Sequence, residues 1–69
     1  MSQTLEFYIT RAEEAATDAR NATLENVRER ALRSEAAWRG MAERLVRVEA
    51  QRKVVMADKA LQAEALLED

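Results

Sequence analysis

The sequence has no cysteine, no histidine and no proline, and its one glycine is Gly40. Without cysteine there is neither a disulfide to staple a small fold nor a thiolate to act as a nucleophile, which suits a reducing compartment. Without histidine there is no imidazole-based triad, and the Glu-x-x-His motif of bundle metal centres cannot be formed. One glycine cannot supply a phosphate-cradling loop. Aromatic residues make up only 4% of the chain, as Phe7, Tyr8 and Trp38, so no large aromatic core is available. Ser2 and Ser34 are the only serines. Catalysis by paired carboxylates would need burial that shifts their pKa values, and a chain of 69 residues offers little room for such a pocket. The expectation is a protein that is not an enzyme and holds no cofactor and no metal.

What the chain does contain is Ala, Glu, Arg and Leu in abundance, with 35% charged and 48% hydrophobic residues. With nothing to interrupt a helix, this composition predicts an all-α chain. Disorder is the competing reading, but 11 basic residues nearly balance 13 acidic ones and apolar positions recur regularly, against the usual signature of a self-repelling chain. A domain of this size buries only about 60% of the surface its unfolded chain exposes. Small folds add disulfides, a metal or self-association, and the third is the one left open here.

Helical periodicity divides the chain in two. Leu5, Ile9, Ala12, Ala16 and Ala19 recur at spacings of three and four, one narrow side of a first helix over about residues 3–20. Ser2 or Thr4 supplies its cap. The polar run Arg20-Asn21-Ala22-Thr23 reads as a turn, with Thr23 and Asn26 a weakened capping box for the next helix. A second, long helix over about residues 23–66 carries the seam Leu24, Val27, Ala31, Ser34, Trp38, Met41, Leu45 and Val48. The alternative is one unbroken helix with a stutter near residue 22. Gly40 does not cut the second helix, because the seam keeps its phase across it.

Charge supports a fold-back. Residues 1–25 carry net −3, residues 26–53 net +4 and residues 54–69 net −3. A hairpin turning about residue 22 would set Glu14 against Arg30, Glu6 near Arg39, Ala12 and Ala16 against Ala31 and Val27, and Leu5 near Trp38. Such exposed ion pairs contribute only about 0.2–1 kcal/mol each and select register more than they hold the fold.

Beyond Val48 the seam gives way to a displaced stripe, Ala42, Val46, Ala50, Val54, Ala57, Leu61 and Ala65. The short first helix cannot reach it. Either two copies cover one another's long arms, or the arm bends near Gln51-Arg52-Lys53 and folds back. No strong breaker stands there, which favours a homodimer, a bundle or coiled coil, with Trp38, Met41, Leu45, Val46, Val54, Val55, Leu61 and Ala65 at the interface. The end of the chain, from Leu66 onward, is expected to fray.

Three other functional readings are weaker. Arg28, Arg39, Arg47, Arg52 and Lys53 form a basic stripe of the kind that contacts polyanions such as nucleic acid, but Glu29, Glu35, Glu43 and Glu49 interrupt it. Glu13, Glu14 and Asp18 are better read as a solvated acidic face than as ligands for a divalent cation. The longest apolar run near the N-terminus, Phe7-Tyr8-Ile9, is far short of a signal-peptide core or a membrane span, so a cytoplasmic protein is expected.

The segments YITRAEEA (residues 8–15), ATLENVRERALRSEAAW (22–38) and MAER (41–44) resemble a group of small bacterial helical proteins with no assigned function. The resemblance spans about two-thirds of the chain, from Phe7 to Arg52. It implies a bacterial, cytosolic origin and a short helix leading into a longer one. It carries over no catalytic residue, and the tail from Lys53 onward lies outside it.

Overall fold

The computed structural model describes residues 4–68 and contains two helices, α1 (Leu5–Asn21) and α2 (Glu25–Leu67). They form an antiparallel hairpin measuring 69 × 18 × 16 Å. At about 1.5 Å per residue, α1 is roughly 25 Å long and α2 roughly 64 Å. The second helix therefore projects far past the first as a single arm. It runs without interruption through Gly40 and through residues 51–53, so the arm does not fold back.

Thr4 caps α1. Its backbone is extended, its Oγ1 accepts from the Phe7 N–H at 3.1 Å, and its carbonyl accepts from the Tyr8 N–H at 3.2 Å. Glu6 stands in the first turn and Arg20 in the last, both placed to favour the helix dipole. Ser2 lies outside the described residues. The connection is short, Ala22-Thr23-Leu24, and no described residue has positive φ.

Thr23 does not cap α2. The cap is Leu24, extended at φ −100° and ψ 136° and without a side-chain bond to the helix, so α2 begins one residue later than a Thr23 cap would place it. The orphan N–H groups there are complemented instead by Glu25 in the first turn. Arg28 secures the turn: its Nη2 donates to the Ala22 carbonyl at 3.1 Å and its Nη1 to Glu25 Oε2 at 3.3 Å.

The core is made of alanine. Ala12, Ala15, Ala19 and Ala42 are the buried apolar residues, and Ala12 is completely covered. On α1 the covered line is Leu5, Tyr8, Ala12, Ala15 and Ala19, with Ala16 half-buried beside it, whereas Ile9 is exposed. On α2 the covered line is Ala31, Glu35, Trp38, Ala42 and Leu45. Met41 is half-buried at its edge. Leu24, Val27, Ser34 and Val48, expected in the seam, are exposed. A ridge of alanines is narrow, so α1 covers only the centre of the facing helix.

The register also differs from a turn about residue 22. Trp38 packs on Phe7 and Tyr8 rather than lying opposite Leu5: the ring centroids are 5.8 Å from Phe7, edge to face, and 6.1 Å from Tyr8. Ala15 shares a groove with Ala31 and Ser34, and Ala12 shares a crevice with Arg39 and Ala42. The cause is the connection, which is centred on Thr23 because α1 runs to Asn21 and α2 starts at Glu25. The expected cross-helix ion pairs are accordingly absent among the described residues. Glu14 pairs with Arg11 at 3.3 Å and Arg39 with Glu35 at 2.7 Å, each within one helix.

Candidate interaction surface

Past Leu45 the arm has nothing beside it, and every described residue from 46 to 68 is exposed. Val54 is 61% exposed, Met56 66% and Leu61 64%. Covering a Val or Leu side chain fully is worth about 1.5–3 kcal/mol, so these residues are an unused source of binding energy. Their helix is continuous down to Glu68, whose N–H donates to the Glu64 carbonyl at 3.2 Å. The chain thus holds a helical arm in place by one end and leaves its apolar residues bare.

Those residues lie on two strips. At about 100° per residue, Val46, Ala50, Val54, Ala57, Leu61 and Ala65 fall within an arc of roughly 100°. Val48, Val55 and Met56 stand on nearly the opposite side, where with Gln51 and the stem of Arg52 they line a shallow groove with almost wholly apolar walls.

The residues expected at a dimer interface are therefore divided among three faces. Trp38 and Leu45 are half-buried on the side of α2 that faces α1, with Met41 at its edge. Val46, Val54, Leu61 and Ala65 share one bare strip, and Val55 belongs to the other. Phe7, which is exposed, and Tyr8, which is half-buried, both pack on Trp38 and stand outside the expected seam. The signal for Tyr8 was present in the alternation of Leu5, Tyr8, Ala12, Ala15 and Ala19, which fits a helical seam better than the line through Ile9.

The basic residues divide as well. Arg28 is committed to Ala22 and Glu25, and Arg39 to Glu35. Arg47, Arg52 and Lys53 stand on the exposed arm without an ion pair among the described residues. On α1 the acidic residues do not converge. Glu14 turns to Arg11, the Glu13 carbonyl accepts from Thr17 Oγ1 at 3.0 Å, and the described residues contain no group of three or more ligand-type side chains around a common point. No described helix is long and apolar enough to cross a membrane.

Two grooves flank the contact of the helices, one lined by Ala15, Asp18, Val27 and Arg30, the other by Ala16, Ala19, Leu32 and Glu35. Both are wide open to solvent. Among known proteins, no family model, no curated protein and no solved structure matches this chain.

Proposed function

We propose that the protein is a small interaction module, without catalytic activity, that works by self-association of its long helical arm. The observation that carries this reading is the exposure of Val46, Val54, Val55, Met56 and Leu61 on a helix that has no neighbour. The hairpin serves as the holder: alanine packing and the Arg28 clamp fix one end of α2, and the rest is presented. A homodimer whose arms cover each other supplies the burial that a 69-residue chain cannot find within itself. The resemblance to small bacterial helical proteins adds a bacterial cytosolic setting to the same reading.

The polyanion reading has less support. Of its five basic residues, Arg28 and Arg39 already serve the hairpin, and Arg47, Arg52 and Lys53 alone make a short site interrupted by Glu49.

Light scattering tests the proposal. Self-association predicts twice the monomer mass for the natural chain, and the monomer mass for the double variant Val55→Glu with Leu61→Glu, which places a charge on each strip. A natural chain that stays monomeric as its concentration rises overturns the reading.

A further inference from the structure

We propose that two copies pair arm to arm in antiparallel orientation, through the strip of Val46, Ala50, Val54, Ala57, Leu61 and Ala65, about a two-fold axis between residues 55 and 56. This inference rests on the self-association reading and specifies its geometry.

The first argument is the spacing. Along the strip the steps are four, four, three, four and four, the same from either end. A line with that symmetry lies in register on a reversed copy of itself. Reversal also matches sizes: Val46 comes level with the partner's Ala65, Ala50 with the partner's Leu61, and Val54 with the partner's Ala57. Each level then holds one large and one small side chain, and the two backbones stay at a constant separation. Parallel pairing would set Val on Val, Leu on Leu and Ala on Ala, so that wide and narrow levels alternate and voids open at the alanines.

The second argument is charge. Residues 44–53 carry Arg44, Arg47, Arg52 and Lys53 against Glu49, net +3, whereas residues 58–67, which lie level with them on the partner, carry Asp58 and Glu64 against Lys59, net −1. Antiparallel pairing sets Lys53 level with the partner's Asp58 and Arg47 with the partner's Glu64, and leaves Arg52 and Lys59 level only on the side away from the strip, whereas parallel pairing stacks like on like. Exposed charges add little affinity one by one, but blocks of this kind select orientation. Glu43 comes level with the partner's Glu68 at each margin, which marks where the strip ends. The opposite strip lacks both properties, since its Val48 and Val55 are separated by Arg52 and followed by Lys59.

The chain has no cysteine, so introduced thiols report without background. Ala50→Cys and Leu61→Cys chains are mixed and mildly oxidised. In the proposed register the two substituted positions are level with each other. Each lies about 16 Å along the axis from its own equivalent, beyond the roughly 7 Å Cα separation a disulfide tolerates. The expected result is a covalent dimer in the mixture, at least about tenfold above that from either chain alone. Each variant cross-linking to itself would mean parallel arms and overturn the inference. So would a natural chain that is dimeric while none of these samples cross-links. A natural chain that is monomeric by light scattering overturns the self-association reading itself. As a second measurement, Val48→Glu with Val55→Glu leaves the dimer mass unchanged, and Val54→Glu with Leu61→Glu gives the monomer; the reverse outcome assigns the wrong strip.

Discussion

The guanidinium carbon of Arg11 lies 5.4 Å from the centre of the Trp38 ring. The same side chain stands 5.9 Å from the Phe7 ring and donates from Nη1 to Glu14 Oε2 at 3.3 Å. One arginine of α1 thus covers the largest side chain of α2 and is itself held by a carboxylate one turn on. Cation–π contact at an exposed site is worth about 0.5–1 kcal/mol, a sizeable share in a hairpin whose buried apolar residues are all alanines. Arg11→Gln lowers stability by about that amount, and the loss shrinks to what the Phe7 and Glu14 contacts contribute when Trp38 has already been replaced by Leu. A thermodynamic cycle followed by circular dichroism measures both effects.

Trp38→Ala removes the central partner of Phe7 and Tyr8 together. Large-to-small changes of buried aromatic residues cost about 3–5 kcal/mol, and Trp38 is half-buried, so a loss of about 2 kcal/mol or more is expected. Chemical denaturation gives the value. The arm strips are untouched, so the proposed self-association predicts the same mass for this variant as for the natural chain wherever it remains folded.

Ala12→Leu acts in the opposite sense. Ala12 is wholly covered where the helices meet and shares its crevice with Ala42. A larger side chain there forces the helices apart, at a cost of about 1–3 kcal/mol. Ala63→Leu, on the exposed arm, is the control and leaves the hairpin's stability unchanged.

Gly40→Ala stabilises the chain. Gly40 is inside α2, and a Cβ built on it meets nothing within 4 Å. Alanine in place of glycine in a helix interior gains about 1 kcal/mol. The midpoint of thermal unfolding rises accordingly. A fall in the midpoint at high protein concentration would show that a second copy approaches the backbone at this point.

Arg28→Lys does not replace Arg28. The guanidinium reaches the Ala22 carbonyl with one nitrogen and Glu25 with another, a fork that an ammonium lacks. The loss is about 1 kcal/mol for each of Arg28→Lys and Arg28→Ala, visible as earlier unfolding in urea.

Much of this architecture is legible from the residues, and the misplacements have physical causes. The break between two helices, the dominance of alanine on α1 and the bare distal arm all follow from spacing and length. Ala31, Trp38 and Leu45 of the α2 seam are legible from spacing, but the positions between them are Glu35 and Ala42 rather than Ser34 and Met41, because a charged residue and a small one do not stand out among apolar positions. Glu35 tolerates its place because its carboxylate reaches Arg39 at 2.7 Å, which depends on a neighbour four residues away. The register was misread because Thr23 is a good cap by type, yet Leu24 holds the cap position with Arg28 fastening the turn. On the arm, spacing alone assigned Val55 to the same surface as Val54 and Leu61, and only the angular positions separate them.

The strip on the arm repeats every eleven residues, from Val46 to Ala57, from Ala50 to Leu61 and from Val54 to Ala65. Within the hairpin, Ala31, Trp38 and Leu45 repeat every seven. A repeat of seven makes packed helices coil to the left, and a repeat of eleven, about 3.67 residues per turn, makes them coil gently to the right. The apolar spacing of α2 therefore changes from seven to eleven at about residue 45, beyond the start of α1, and arms paired as proposed would coil with the opposite hand to that favoured by the spacing in the hairpin. That change of period takes place within one continuous helix, without a glycine or a proline at the transition.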